Sequence, residues 1–152
     1  MEETLSIINK TKSKNLLPFS VISKIKDEIL GKKYFLSLVY LTTKEMQKIN
    51  KKYRNKNKPT NVLSFCLTKN SGELLLCPSL IKTETKKFER NFTDLLGFLV
   101  IHGMLHLKGL EHSSRMEVLE EKYDKKYFRG NRHRIHHDSS SGRRVFKGRK
   151  KS

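Results

Sequence analysis

The stretch HGMLHLKGLEH, His102–His112, begins inside the longest apolar run of the chain, LLGFLVIHGMLHL over residues 95–107. It places three histidines where packing alone would use aliphatic side chains. With its flanks, FTDLLGFLVIHGMLHLKG over residues 92–109, the run is apolar on most faces and predicts a buried helix that stops at Gly109. His102 and His106 are four apart, so on that helix they share a face one turn from each other. Gly109 permits a left-handed exit, and a chain that turns back there carries His112 toward the pair. Three neutral imidazoles converging on one point form the ligand set of a catalytic zinc with an open fourth position, so one zinc per chain is expected.

The spacing H-x-x-x-H-x-x-G-x-x-H is also that of the metzincin proteases, which place a catalytic glutamate directly after the first histidine. Here that position is Gly103, so the carboxylate that would activate water for peptide cleavage is missing. The pattern points to a metal site but not to a peptidase of that kind. A lone histidine on an apolar helix is usually a hydrogen-bonded core residue; three at this spacing with a glycine at the turn are much harder to read that way. The other three histidines, His133, His136 and His137, all lie in a basic C-terminal segment, where solvated or RNA-facing roles are expected.

Charge narrows the partners. The chain of 152 residues carries 33 Lys and Arg against 15 Asp and Glu, a formal net charge of +18. Such an excess favours a polyanionic partner, nucleic acid before anionic membrane. Two cysteines, Cys66 and Cys77, make no disulfide framework and read as small buried residues on adjacent strands. The N-terminus MEETLSIINKTK lacks the apolar core of a signal peptide, and the 95–107 run is too short to span a bilayer, so a cytoplasmic protein without membrane contact is expected.

Working outward from the histidine helix, TLSIINK reads as a strand and the segment after Pro18 as a helix ending at Gly31. YFLSLVYLT reads as a central strand, and Thr42 with Glu45 as a capping box opening a helix over KEMQKINKKY. VLSFCL and ELLLC are strands joined by a turn at TKNSG, PSLIKTETKKFE is ambiguous, and Ser114 with Glu117 cap a last helix. The elements mix strands and helices without strict alternation, which predicts an α+β domain over residues 1–128 with a small mixed sheet packed with helices. Residues 129–152 hold nine Lys or Arg and one acid with few apolar residues, the composition of a disordered basic tail.

Two blocks carry a family resemblance. HGMLHLKGLEH resembles the H-G-x-L-H-L-x-G-x-D-H signature of the YbeY family of bacterial rRNA maturation factors. NKKYRNKNKPTNVLSF resembles that family's N-x-x-Y-R-x-K-D-x-P-T-D-V-L-S-F, and GELLL its following G-D-I strand. The likeness spans roughly residues 5 to 128. It implies a zincin-like, metal-dependent hydrolase fold and a zinc-dependent endoribonuclease that prefers single strands. Such an enzyme acts in small-subunit rRNA maturation and ribosome quality control, with rRNA, ribosomal proteins or assembly factors as partners. It carries the metal ligands over to His102, His106 and His112, and the functional arginine to Arg54, a phosphate clamp by its planar fork of donors. Glu111 stands where the family has Asp, beside the third ligand it would orient; Thr60 and Ser64 are weaker candidates for substrate contact, with caps or sheet positions the commoner use. Asn61 and Cys66 replace the family's Asp and Pro. The alternative class is a non-catalytic rRNA-binding assembly factor whose zinc is structural, which a fourth protein ligand such as Cys77 would favour. A hydrolase of small substrates would instead have a neutral pocket rim.

Overall fold

The computed structural model describes residues 3–111 and 113–129; His112, and the basic segment apart from Arg129, lie outside the described residues. Four strands form one mixed sheet: β1 (Leu5–Asn9), β2 (Phe35–Tyr40), β3 (Val62–Thr68) and β4 (Ser71–Leu76), in the order β1-β2-β4-β3. β1 and β4 both run parallel to β2, while β3 and β4 form an antiparallel hairpin that leaves β3 at an edge. The ladder between them is irregular at Cys66–Thr68, where the outer strand turns to solvent and Leu67 is exposed.

The helices are α1 (Phe19–Ile29), α2 (Thr43–Arg54), α3 (Pro78–Thr83), α4 (Thr85–Phe88), α5 (Phe92–Leu107) and α6 (Ser114–Asp124), the last followed by a wide turn over Lys125–Arg129. Thr42 and Glu45 form the expected capping box of α2. The ambiguous segment resolves into the short helices α3 and α4. One expectation is corrected: Ser113, not Ser114, caps α6, accepting the Met116 amide at 3.2 Å. Ser113 has extended backbone (φ −166°, ψ 169°) and can turn its hydroxyl onto the N3 amide, whereas Ser114 is already helical.

Because strand side chains alternate, the sheet has two apolar faces. Leu36, Leu38, Tyr40, Leu74 and Leu76 join the larger core with α1 and α5. Val39, Leu63 and Leu75, with Leu41 and Cys77, meet Met46 and Ile49 of α2 on the other. α5 is buried over most of its length, as its unbroken apolar character predicts. It runs against β3 and β4 at Gly103, where an added Cβ would collide with the Leu74 side chain and stand 3.2 Å from Ser64 Oγ. The Ser64 hydroxyl donates to the Gly103 carbonyl at 3.2 Å, tying the edge strand to the helix one residue past His102. Among the described residues no helix is long and apolar enough to cross a membrane.

Candidate active site

The helix periodicity of α5 places His102 and His106 on one face, and their rings meet edge to face with centroids 4.6 Å apart. The two Nε2 atoms are 3.1 Å apart. Each ring is held through its other nitrogen. His106 Nδ1 lies 3.0 Å from the Leu110 carbonyl oxygen. Only an N–H can bond a carbonyl, so the contact places the proton on Nδ1 and the lone pair on Nε2. That carbonyl reaches His106 because Gly109 takes φ +105°, returning the chain so that the Leu110 amide bonds back to Leu105.

His102 is almost fully buried, and its Nδ1 bonds to Glu120 Oε2 of α6. The carboxylate again requires the proton on Nδ1, leaving the lone pair on Nε2. Two imidazoles thus present like-disposed lone pairs to one point. Nitrogens sharing a zinc at about 2.0–2.1 Å each lie about 3 Å apart or slightly more, so the observed 3.1 Å separation fits a common ion. His112, the third expected ligand, lies outside the described residues, and among the described ones no group of three or more His, Cys, Asp or Glu side chains is placed to hold a metal.

The other expected residues are more dispersed. Arg54 ends α2, the helix that packs on the sheet face opposite α5. Its Nε is buried and has no hydrogen-bond partner among the described residues. Burial lowers its pKa, yet a guanidinium stays charged at neutral pH. Ser64 is buried, with its hydroxyl on the Gly103 carbonyl, a structural bond between strand and helix. Thr60 is half-buried in the loop before β3, and Glu111 is exposed. Asn61 is buried and donates Nδ2 to Glu84 Oε1 at 2.9 Å. The Asp of the resembled pattern would set two carboxylates face to face there, so the amide is a coherent replacement.

Cys66 is exposed on the edge strand, unlike the small buried residue expected; Cys77 is buried, and burial raises its thiol pKa. Cys77 belongs to the α2-side cluster, away from the core that α5 joins, so it is badly placed to serve as a fourth ligand.

Glu120 is the site residue that sequence reasoning missed. The available signal was the stripe Met116, Glu120 and Asp124, four apart on α6 and all buried. Carboxylates in a charged helix read as a solvated face, and only the docking of α6 on α5 turns them inward.

A histidine-bearing core helix under a mixed four-stranded sheet, braced by a carboxylate from the next helix, defines an α+β protein with a candidate metal centre. The chain belongs to the endoribonuclease YbeY family, whose model matches residues 2–127. Endoribonuclease YbeY of Buchnera aphidicola is 34% identical over 141 residues, covering 79% of this chain and 89% of that protein. Its counterpart in Staphylococcus carnosus is 32% identical over 118 residues, covering 70% and 74%. The solution structure of TM1509 from Thermotoga maritima superposes with a TM-score of 0.61 at 27% identity, covering 82% of this chain and 89% of that one. Family and fold therefore agree with the resemblance carried by the two motif blocks and with the RNA-cleaving class it implied.

Proposed function

We propose that this chain is a zinc-dependent endoribonuclease that cuts single-stranded segments of rRNA during small-subunit maturation and ribosome quality control, in the cytoplasm. The observation that carries the metal reading is the 3.1 Å approach of the two Nε2 atoms with both Nδ1 positions tied down. Family membership and the formal charge of +18 support RNA as the substrate.

His102, His106 and His112 would hold the ion. When bound, zinc supplies a Lewis acid for a phosphoryl oxygen and acidifies water. The chain's own residues do the rest. Arg54 offers donors to phosphate oxygens, and the lysines of residues 51–58 hold the RNA backbone near it. Gly103 supplies no carboxylate base and has no room for one. Water acidified by a bound ion would make a carboxylate base at position 103 dispensable, whether the nucleophile is that water or the 2′-hydroxyl of the RNA itself.

The test is digestion of defined single-stranded and duplex RNA by the zinc-loaded protein, by protein stripped with a chelator, and by His106→Ala. The loaded protein should cut the single strand in preference to the duplex, and stripping should abolish cutting until zinc is returned. Equal cleavage without metal would remove zinc from the reaction. RNA binding with no cleavage by the loaded protein would favour the assembly-factor reading.

A further inference from the structure

We propose that Glu120 is a positioning residue for His102, and that Arg90, Asp124 and Phe98 lock it in place as a closed brace around the metal-binding imidazole. The inference rests on the metal reading above. Glu120 and His102 have side chains only 8% and 1% exposed, so their contact is sealed from water. One turn further along α6, Asp124 takes both arms of the Arg90 guanidinium, at 2.6 and 3.2 Å, with both side chains 6% exposed. Arg90 lies over the Phe98 ring, 5.3 Å from its centroid, and Phe98 stacks against His102 at 6.5 Å. The path from His102 to Glu120, along α6 to Asp124, across to Arg90 and Phe98, returns to His102.

Each link has a separate physical task. The carboxylate at Nδ1 sets the tautomer, aims Nε2, and makes the ring a stronger donor. The fork of Arg90 on Asp124 fixes the rotation of α6, and with it the height at which Glu120 meets the ring. Phe98, its ring near-parallel to the imidazole at 6.5 Å between centroids, walls one side of it. His106 is held by a neutral peptide carbonyl instead, so the two imidazoles are tuned differently: His102 by a charge, His106 by a dipole.

The experiment uses the full chain and three variants: Glu120→Gln, Glu120→Asp and Asp124→Asn. Zinc affinity is measured by competition with a chromophoric chelator, the ligand field by the absorption spectrum of the cobalt-substituted protein, and folding by thermal unfolding with metal removed. Glu120→Gln should fold, bind zinc about 10- to 100-fold more weakly, and shift the cobalt spectrum. Glu120→Asp keeps the charge on a shorter arm and should recover part of the affinity. Asp124→Asn should lower the metal-free unfolding temperature more than Glu120→Gln does while weakening zinc less. The proposal is overturned if folded Glu120→Gln binds zinc as tightly as the parent, or if affinity falls in step with metal-free stability across all three variants, which would make α6 mere packing. Should Glu120→Gln not fold, Glu120→Asp decides: unchanged affinity and spectrum overturn the proposal. A parent that takes up no zinc refutes the metal reading itself, a different outcome from parent binding that Glu120 does not influence.

Discussion

The α5–α6 contact and the turn from α2 into β3 both concentrate polar groups, and they treat charge in opposite ways. Between α5 and α6, two acids, a histidine and an arginine are buried and matched partner to partner. Around the end of α2, Lys51, Lys52, Lys56 and Lys58 are exposed, Tyr53 stands 59% open with Lys52 beside its ring, and Arg54 keeps a buried Nε without a partner among the described residues. A buried, satisfied network fixes geometry and tolerates little change. An exposed cationic surface fixes nothing until a polyanion arrives, and its contribution is screened by salt. The first region suits holding an ion, and the second suits holding RNA.

The sharpest way to break this contrast is Gly103→Glu, which inserts the carboxylate that the protease spacing would demand. Leu74 and Ser64 occupy the space such a side chain needs. The variant should lose about 4 kcal/mol or more through overpacking and an unmatched buried charge, and gain no peptidase activity. Urea unfolding checks it; a variant as stable as the parent would show that α5 is not packed as described.

His102→Ala should follow in size. It removes the imidazole that Glu120 bonds, at a cost of about 3 kcal/mol in metal-free protein, and it should abolish tight zinc binding. If stability is unchanged while zinc is lost, the buried pair contributes to the site but not to the fold.

Arg54→Ala probes the open region. Cleavage should drop by on the order of 100-fold with metal content and unfolding temperature nearly unchanged, and Arg54→Lys should recover only part, because a point charge replaces a fork. Parallel assays of cleavage and bound zinc separate the outcomes, and loss of metal in Arg54→Ala would merge the two regions into one.

The smallest effect on chemistry belongs to deletion of residues 129–152, nine of which are Lys or Arg. Each phosphate they neutralise should contribute about −0.7 to the log–log salt slope of single-strand binding. Truncation should flatten that slope and weaken binding most at low salt, while cleavage of a short, saturating RNA persists. An unchanged slope would assign this charge to some other acidic partner, and an emptied metal site would make His133, His136 or His137 a ligand.

Much of this was legible in residue order. Apolar and β-branched composition marked the strands, and apolar spacing, capping residues or near-continuous apolar character marked the four longer helices, because each must bury apolar surface. The i, i+4 histidines and the glycine at the turn followed from helix geometry alone, and Gly109 does adopt the left-handed conformation that the reading required. Local chemistry also settled the capping box at Thr42 and Glu45. What the chain order could not supply was which polar residues meet across the fold. Glu120 is 18 residues from His102 and Asp124 is 34 from Arg90, and the charged helix carrying both acids looks solvated until it docks. Gly103 read as an absent base; only the approach of Leu74 and Ser64 makes it a residue that packing requires to be small. Periodicity reports what a segment must bury, whereas the partner of a buried charge is chosen by how the segments pack. That is why the histidine pair could be read from sequence and its brace could not.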